Sequence, residues 1–304
     1  MLNQENSTSR HDEITDTNYA VISPVKNEAE YIELTIESMI HQTIKPSVWV
    51  IVNDGSNDAT ESIVRKYTDT YAWIKLVNRP GDIVRKRGKG VVEAFYAGFN
   101  TLHQEYDFIV KLDGDVSFDP DYFESLLRAF AANPRLGIAG GGLYEKRDGV
   151  TWKLNTAEYH VRGATKVYRR GCFEAIGGLS PSMGWDGIDE WKALSMGWEV
   201  RSFLKLKFMH YRYTGAGTGY LKSFYEEGYG AYRMGYHPLF ILARGLWHMT
   251  DRPFVLGGAG MIWAYFAAWV RGEEWLVGPE VVHYIRRTQM KNLAGLLAGK
   301  KVYT

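Results

Sequence analysis

Residues 19–54 read YAVISPVKNEAEYIELTIESMIHQTIKPSVWVIVND. The apolar, β-branched runs at 19–23 and 48–53 are typical of strands. Between them, Glu28–Gln42 carries apolar residues at the spacing of an amphipathic helix. Two strands joined by a helix of this length predict a βαβ unit, whose strands run parallel.

The same alternation continues along the chain as far as residue 140. Further strands are predicted over 74–77, 108–112 and 136–140, and further helices over 58–71, 91–103 and 121–132. From residue 141 to 215 the pattern is less regular: the Gly177-Gly178 loop leads to a helix predicted to start near 187–189, and strands follow over 199–204 and 207–213. The chain therefore predicts an α/β fold with a mainly parallel sheet flanked by helices.

Polar residues gather where three of these strands end. They are the segments Pro24–Glu28, Asn53–Ser56 and Asp113–Asp115. Parallel sheets bind ligands at the carboxyl ends of their strands, and paired carboxylates suit a divalent cation shared with a substrate phosphate. An Asp-Gly pair also occurs in plain surface turns, but the convergence of three clusters favours a nucleotide site.

Composition narrows the class of protein further. A net charge of +1 over 304 residues does not indicate a nucleic-acid binder. The single cysteine, Cys172, excludes an internal disulfide. Residues 1–18 are polar and lack the apolar core of a signal peptide, so they predict a flexible tail and a cytoplasmic protein.

The stretch 21–61, VISPVKNEAEYIELTIESMIHQTIKPSVWVIVNDGSNDATE, together with Asp113-Gly114-Asp115, resembles family 2 of the inverting glycosyltransferases, which have the GT-A fold. The resemblance covers residues 19–215 and implies a nucleotide-sugar donor with bound Mn²⁺ or Mg²⁺. It places a catalytic domain at 19–215, after the tail at 1–18. Residues 216–304 form a C-terminal helical extension rich in apolar and aromatic residues.

The resemblance also assigns residues to the donor. Pro24 and Glu28, with Lys26 and Asn27 between them, line the nucleoside pocket, and Asp54 hydrogen-bonds the base. The basic segment 79–90 brings Arg87, with Lys86 or Lys89, against the base or diphosphate; a solvated loop is the alternative.

The metal site follows from the same resemblance. Asp113 contacts the ribose or sugar, and Gly114 leaves room for the donor. Asp115 holds the metal. His210, in the strand KFMHYRYTG, completes the metal site, although a lone histidine is more often structural.

Three carboxylates are candidates for the base that deprotonates the acceptor: Asp189, Asp186 and Glu190. Spacing from Gly177-Gly178 favours Asp189, whereas spacing back from Gly197 favours Asp186. Either aspartate also suits a helix N-cap. The sequence favours Asp189 as the base, followed by Asp186 and then Glu190.

The segment Phe254–Val270 contains 17 residues without a charge. This length lies at the lower limit of about 17–25 residues for a membrane-spanning helix, and three glycines near its start weaken that interpretation. A buried helix and a helix at the membrane surface also fit. Neighbouring tryptophans and basic residues favour the surface, which predicts a protein at the cytoplasmic face of the inner membrane.

The function implied is transfer of a sugar from a UDP-, GDP- or dTDP-linked donor to a hydroxyl of a glycan or lipid-linked acceptor, in bacterial surface polysaccharide or glycolipid synthesis. One alternative is a sugar nucleotidyltransferase, but PVKNEAEY at 24–31 lacks the glycine-rich, lysine-bearing segment of such enzymes. The other alternative is a non-catalytic nucleotide-sugar-binding protein.

Overall fold

A computed structural model describes residues 17–81, 88–147, 150–154, 158–212, 220–250 and 254–299. The chain forms two compact units, of which the first ends at Tyr213 and the second begins at Thr214.

The first unit is built on one nine-stranded sheet with the order β3-β2-β1-β4-β8-β6-β9-β5, and β7 pairs with β6. The strands are β1 (Tyr19–Val25), β2 (Val48–Asp54), β3 (Ile74–Arg79), β4 (Phe108–Leu112), β5 (Val116–Phe118), β6 (Leu136–Arg147), β7 (Val150–Lys153), β8 (Thr165–Arg169) and β9 (Glu199–His210). From β3 to β4 all neighbours are parallel, whereas β8 runs antiparallel to β4 and to β6.

Helices cover both faces of this sheet. They are α1 (Ile32–Ile40), α2 (Thr60–Thr68), α3 (Lys89–Phe99), α4 (Tyr122–Ala132), α5 (Arg170–Ala175) and α6 (Trp185–Ser195). Successive side chains of a strand point to opposite faces, so Tyr19 and Val21 of β1 join a core with residues of α1, α2 and α4. Ala20 and Ile22 join a second core with residues of α3, α5 and α6.

The predicted α/β fold is confirmed, and the strands and helices predicted up to β4 are all present. Strands β5, β7 and β8 were not predicted. The two strands predicted over 199–204 and 207–213 are one strand, β9. Its pairing with β6 shifts register between Gly141, which faces Phe203, and Gly142, which faces Lys207. Helix α6 begins at Trp185, ahead of the predicted start near 187–189.

The second unit contains α7 (Tyr220–Arg233), α8 (Pro238–His248), α9 (Leu256–Val270) and α10 (Pro279–Leu297). Glycines allow its helices to pack closely: a Cβ at Gly228 would lie 2.0 Å from the Met261 carbonyl oxygen, and one at Gly258 would lie 2.0 Å from that of Gly245. Among the described residues, none of the helices combines the length and apolar content needed to cross a bilayer.

Candidate active site

The loops that follow β1 and β2 are tied together by backbone-to-side-chain hydrogen bonds. The Asn27 amide donates to the Ser56 hydroxyl at 2.9 Å, and the Glu28 amide donates to the Thr60 hydroxyl at 2.8 Å. Asn27 has a φ of 55°, which asparagine tolerates better than most residues. The two sequence-predicted nucleotide loops therefore form one continuous edge of the sheet.

The other residues predicted to bind the nucleotide lie at the same edge or outside the described residues. Pro24 is near the end of β1, and Lys26 follows that strand directly. Asp54 ends β2 and forms an ion pair with Arg79 of β3, its register partner, at 3.2 Å. The carboxylate expected to read the base thus already has a cationic neighbour.

The basic segment before α3 is described only in part. Lys86 and Arg87 lie outside the described residues. Lys89 is the first residue of α3 and forms an ion pair with Glu93 at 3.6 Å. Binding of the diphosphate by these residues stays a prediction.

Asp113, Asp115 and His210 form a cluster whose ligand atoms all lie within 4.8 Å of one another. The antiparallel pairing of β5 with β9 brings His210 beside the acidic pair, because Val116 faces His210 in the register. Burial raises the pKa of the Asp115 carboxyl, and the negative charge of Asp113 raises it further. Two crowded carboxylates and an imidazole suit a divalent cation, and the sequence predicted all three residues.

Behind this cluster lies Glu145, which the sequence analysis did not identify. It is fully buried on β6, faces His210 in the register with β9, and has a carboxylate oxygen 3.9 Å from His210 Nδ1. The same Nδ1 atom is buried and has no hydrogen-bond partner in the described part of the chain. A carboxylate behind a histidine is the usual way to orient a metal-binding imidazole.

Arg212 links the end of β9 to the loop that follows β1, and the sequence did not predict it. Its guanidinium forms an ion pair with Glu28 at 2.9 Å and donates a hydrogen bond to the Asn27 carbonyl oxygen. Arg212 follows His210 by two residues, which is the signal that the sequence offered, since alternate residues of an extended chain point the same way.

Gly114 is surrounded by protein rather than by open space. A Cβ at this position would lie 2.7 Å from Val25 Cγ1 and 3.2 Å from Ile32 Cδ1. Close packing against these side chains explains why a glycine is needed here, whereas the expectation from the sequence was that glycine leaves space for the donor. Contact of Gly114 with a donor stays a prediction.

The Asp189 carboxylate is fully buried and engaged on both oxygens. Oδ1 accepts a hydrogen bond from Lys166 Nζ at 2.9 Å, and Oδ2 accepts one from the Tyr168 hydroxyl. Glu190 is bound by Lys166 at 3.0 Å and by His160 at 2.8 Å. The structure thus brings two of the three candidate bases into an internal ionic network.

Asp186 is in a different environment. It lies half-buried in the first turn of α6, where Gly184 is the N-cap, so Asp186 does not cap the helix. Its backbone oxygen accepts a hydrogen bond from Lys166 Nζ. Among the described residues, no hydrogen bond or ion pair engages its carboxylate, in contrast to those of Asp189 and Glu190. The role of each of the three as the base stays a prediction.

Two buried lysines lie between this helix and the cluster of Asp113, Asp115 and His210. Lys111 of β4 and Lys166 of β8 face each other in the register, and their Nζ atoms lie 5.3 Å and 5.7 Å from the centre of the Trp185 ring. Lys111 also pairs with Asp113 and donates to the Gly163 carbonyl oxygen at 2.8 Å. A lysine inside a buried strand is rare, and this was the signal available in FIVKL.

Comparisons with known proteins identify the family and the fold. The family model described as "Glycosyl transferase family 2" matches residues 20–185. Poly-beta-1,6-N-acetyl-D-glucosamine synthase of Staphylococcus aureus (strain COL) is 27% identical over 139 residues, which is 44% of this chain and 30% of the relative. The same-named protein of Staphylococcus epidermidis is 28% identical over 134 residues. The chain therefore spans about a third of the length of these curated relatives.

Solved structures share the fold at low sequence identity. The mannosyltransferase PcManGT from Pyrobaculum calidifontis, in complex with GDP-Man and Mn²⁺, is 16% identical with a TM-score of 0.52, and the alignment covers 98% of this chain and 88% of that one. Residues 1–349 of S. aureus TarS, in complex with UDP, are 14% identical with a TM-score of 0.53, covering 94% and 88% of the two chains.

The fold is thus that of the GT-A glycosyltransferases, a mixed sheet flanked by helices. The chain belongs to glycosyl transferase family 2, a family of sugar-transferring enzymes. This confirms the resemblance drawn from the sequence.

Proposed function

We propose that the protein is a metal-dependent inverting glycosyltransferase that moves a sugar from a nucleotide-sugar donor to a hydroxyl group. The observation that carries this proposal is the cluster of Asp113, Asp115 and His210 at the edge of the sheet where the first two βα loops meet. That edge supplies a cation site, and the adjoining loops supply polar groups for a nucleoside.

In this proposal Asp115 and His210 hold Mn²⁺ or Mg²⁺, and Asp113 faces the ribose or the sugar. Bound metal would neutralise charge on the departing diphosphate. The buried Glu145 carboxylate, 3.9 Å from His210 Nδ1, would help to orient the imidazole toward the cation. The known complexes of fold relatives with GDP-Man and Mn²⁺, and with UDP, support this class of ligand.

The nucleoside part of the donor is assigned to the first two loops. Pro24, Lys26, Asn27 and Glu28 line the pocket, and Asp54 contacts the base. Arg212 fixes Glu28 and the Asn27 carbonyl, so the pocket wall is held by residues on three different strands or loops. Lys86, Arg87 and Lys89 are proposed to face the diphosphate.

Asp186 is the proposed catalytic base, in preference to Asp189 and Glu190. Its carboxylate takes the proton from the acceptor hydroxyl as that oxygen bonds to the anomeric carbon. The bond from that carbon to the phosphate oxygen breaks on the opposite face, and its electron pair leaves with the diphosphate. The buried Lys166 donates a hydrogen bond to the Asp186 carbonyl oxygen, and this contact fixes the first turn of the helix that carries the proposed base.

The acceptor is proposed to be a hydroxyl of a glycan or of a lipid-linked sugar, in bacterial surface polysaccharide or glycolipid synthesis. The similarity to poly-beta-1,6-N-acetyl-D-glucosamine synthases over part of their length supports a polysaccharide product. We place the protein in the cytoplasm or peripherally on the cytoplasmic face of the inner membrane.

The metal assignment is tested with Asp115→Ala. Mn²⁺ binding by the wild type, measured by electron paramagnetic resonance, should weaken at least about tenfold in the variant, because a charged ligand is lost. Donor hydrolysis over a panel of UDP-, GDP- and dTDP-sugars should fall with it, while the circular dichroism spectrum stays unchanged. Full Mn²⁺ affinity in Asp115→Ala would show that the cluster is not the metal site.

The base assignment is tested with Asp186→Asn beside Asp189→Asn. Asp186→Asn should bind the donor with wild-type affinity and lose transfer about 10²–10⁴-fold, the range for general base catalysis. Asp189→Asn should lose thermal stability, because it removes one of the two carboxylates that pair with the buried Lys166. A fully active Asp186→Asn, or release of pyrophosphate from sugar phosphates and nucleotides, would contradict the proposed reaction.

A further inference from the structure

The second unit exposes an unusual amount of apolar surface. Of the 17 large hydrophobic side chains that are exposed among the described residues, 13 belong to it, although it comprises only residues 214–304. Scattered exposed hydrophobic residues need no explanation, but a concentration in one region marks an interaction site.

On α9 the exposed Leu256, Trp263 and Val270 alternate with the half-buried Gly260 and Ala267, and the five residues form one apolar stripe, here called the α9 stripe. Spacings of four and three residues place all five on one side of the helix. Leu256 is 59% exposed, Trp263 is 70% exposed and Val270 is 88% exposed. A Cβ on Gly260 would meet no atom within 4 Å, so the stripe is open to solvent.

The opposite side of α9 is buried inside the unit. It carries Gly257, Gly258, Met261, Ala264, Tyr265 and Ala268. Because α9 contains no charged residue on either side, it lacks the polar face that a helix on the surface of a soluble protein normally turns to water. The stripe is therefore a second apolar face of α9, which the other helices of the unit do not cover.

Helix α8 repeats this pattern. Leu239 is 54% exposed and Leu246 is 60% exposed, with the exposed Ala243 between them and Trp247 beside them at 74%. Ile241 and Gly245 lie on its buried side. A Cβ at Gly245 would lie 2.5 Å from the Ile262 side chain of α9, so the two helices with exposed apolar stripes pack against each other.

We infer that the exposed apolar stripes of α8 and α9 form a docking surface for an anionic lipid bilayer. Tryptophan prefers the membrane interface because its ring is apolar and its N–H group is polar, and Trp247, Trp263 and Trp269 are all more than half exposed. The inference rests on the proposed peripheral location, and not on the proposed chemistry.

Charge and length agree with a bilayer as the partner. Residues 214–304 contain ten Lys and Arg against six Asp and Glu, whereas the chain as a whole is close to neutral, with a net charge of +1. A positive unit suits anionic headgroups. The 15 residues of α9 span about 22 Å, which is shorter than the hydrocarbon core of about 30 Å, so the helix lies along the surface.

A second copy of the chain is the competing occupant. The spacing of the α9 stripe matches a helix-pairing seam, but such seams are flanked by charged positions that set the partner and the register. Helix α9 has no charge with which to do this. A bilayer, which needs no register, fits the stripe better.

The test uses the full chain and sedimentation with vesicles of phosphatidylcholine, with and without phosphatidylglycerol. The wild type should bind the anionic vesicles with a blue shift in tryptophan fluorescence, and high salt should weaken binding. Trp263→Glu should reduce binding about tenfold or more, since burial of one large apolar side chain alone corresponds to about that factor. Leu246→Glu should act in the same direction through α8.

Trp152→Glu is the matched control, because Trp152 is a tryptophan of the first unit that is 57% exposed. It should bind vesicles like the wild type, and all variants should keep the wild-type melting temperature and donor hydrolysis in solution. Absence of vesicle binding by the wild type, or a dimer in ultracentrifugation that Trp263→Glu converts to a monomer, would overturn the inference. If the wild type hydrolysed no donor, that result would contradict the proposed function and would leave the docking surface unaffected.

Discussion

Replacement of Lys166 by methionine tests the buried network beneath the proposed base. The Lys166 side chain is fully buried and forms ion pairs with Asp189 at 2.9 Å and Glu190 at 3.0 Å. Methionine has a similar length and no charge, so both carboxylates lose their cation while the volume is kept. Removing one partner of a buried ion pair typically costs about 3–5 kcal/mol.

For a chain of this size, about 2 °C of melting temperature corresponds to 1 kcal/mol, so Lys166→Met should melt about 6–10 °C below the wild type. Lys75→Met is the control, because Lys75 is exposed on β3 and substitutions of that kind stay within about 0.5 kcal/mol. Differential scanning calorimetry measures both variants.

The pH dependence of this loss has a defined sign. Burial raises the pKa of the Asp189 carboxyl in the folded protein, and Lys166 opposes that shift. In Lys166→Met the folded-state pKa rises further above the unfolded value, so stability is greatest below the unfolded pKa and falls as the pH rises through the folded one. The difference in melting temperature between Lys166→Met and Lys75→Met should therefore become smaller from about pH 8 to about pH 5, the range in which a carboxyl with a raised pKa titrates.

Two outcomes would refute this reasoning. A melting temperature of Lys166→Met within about 2 °C of the control, a difference of about 1 kcal/mol, would show that the carboxylates are solvated or paired elsewhere. A gap that widens on acidification would show that Asp189 is not the group left uncompensated. Adding Asp189→Asn to Lys166→Met should recover part of the stability if the two residues are coupled.

Two further substitutions probe the frame of the site. Tyr122→Phe should cost about 1–3 kcal/mol in urea unfolding, because the buried hydroxyl lies 2.5 Å from the Thr165 hydroxyl and 2.8 Å from the Gly141 amide that donates to it; unchanged stability would mean that water replaces the hydroxyl. Gly114→Ala should cost about 1–3 kcal/mol by overpacking, since the new methyl group would lie 2.7 Å from Val25 Cγ1, and a wild-type unfolding midpoint would show that the loop relaxes freely.

The sequence predicted the parallel half of the sheet better than the mixed half. Strands β1 to β4 are apolar runs separated by helices of ordinary length, so their periodicity was visible locally. Strand β8 was missed because TKVYR is short and is stabilised by pairing with β4 and β6, which are distant in sequence. The long β9 was predicted as two strands, and the predicted break between 204 and 207 lies where the register with β6 shifts.

The site divides in the same way. Asp113, Asp115 and His210 were predicted because their residue types and family spacing carry the chemistry, and the structure places them together. Lys111 and Lys166 were not predicted. Each lies in a different strand, and only the antiparallel pairing of β4 with β8 brings both of them near the Trp185 ring.

By itself, the sequence determined the class of fold, the family and the identity of the acidic pair, because these depend on local periodicity and on motifs that are contiguous in the chain. Only the tertiary structure shows which carboxylates are engaged by other side chains. Asp186 and Asp189 are three residues apart on one helix, yet Lys166 and Tyr168 from a neighbouring strand engage both oxygens of Asp189. The availability of a buried carboxylate depends on what packs against it, and those partners come from distant parts of the chain.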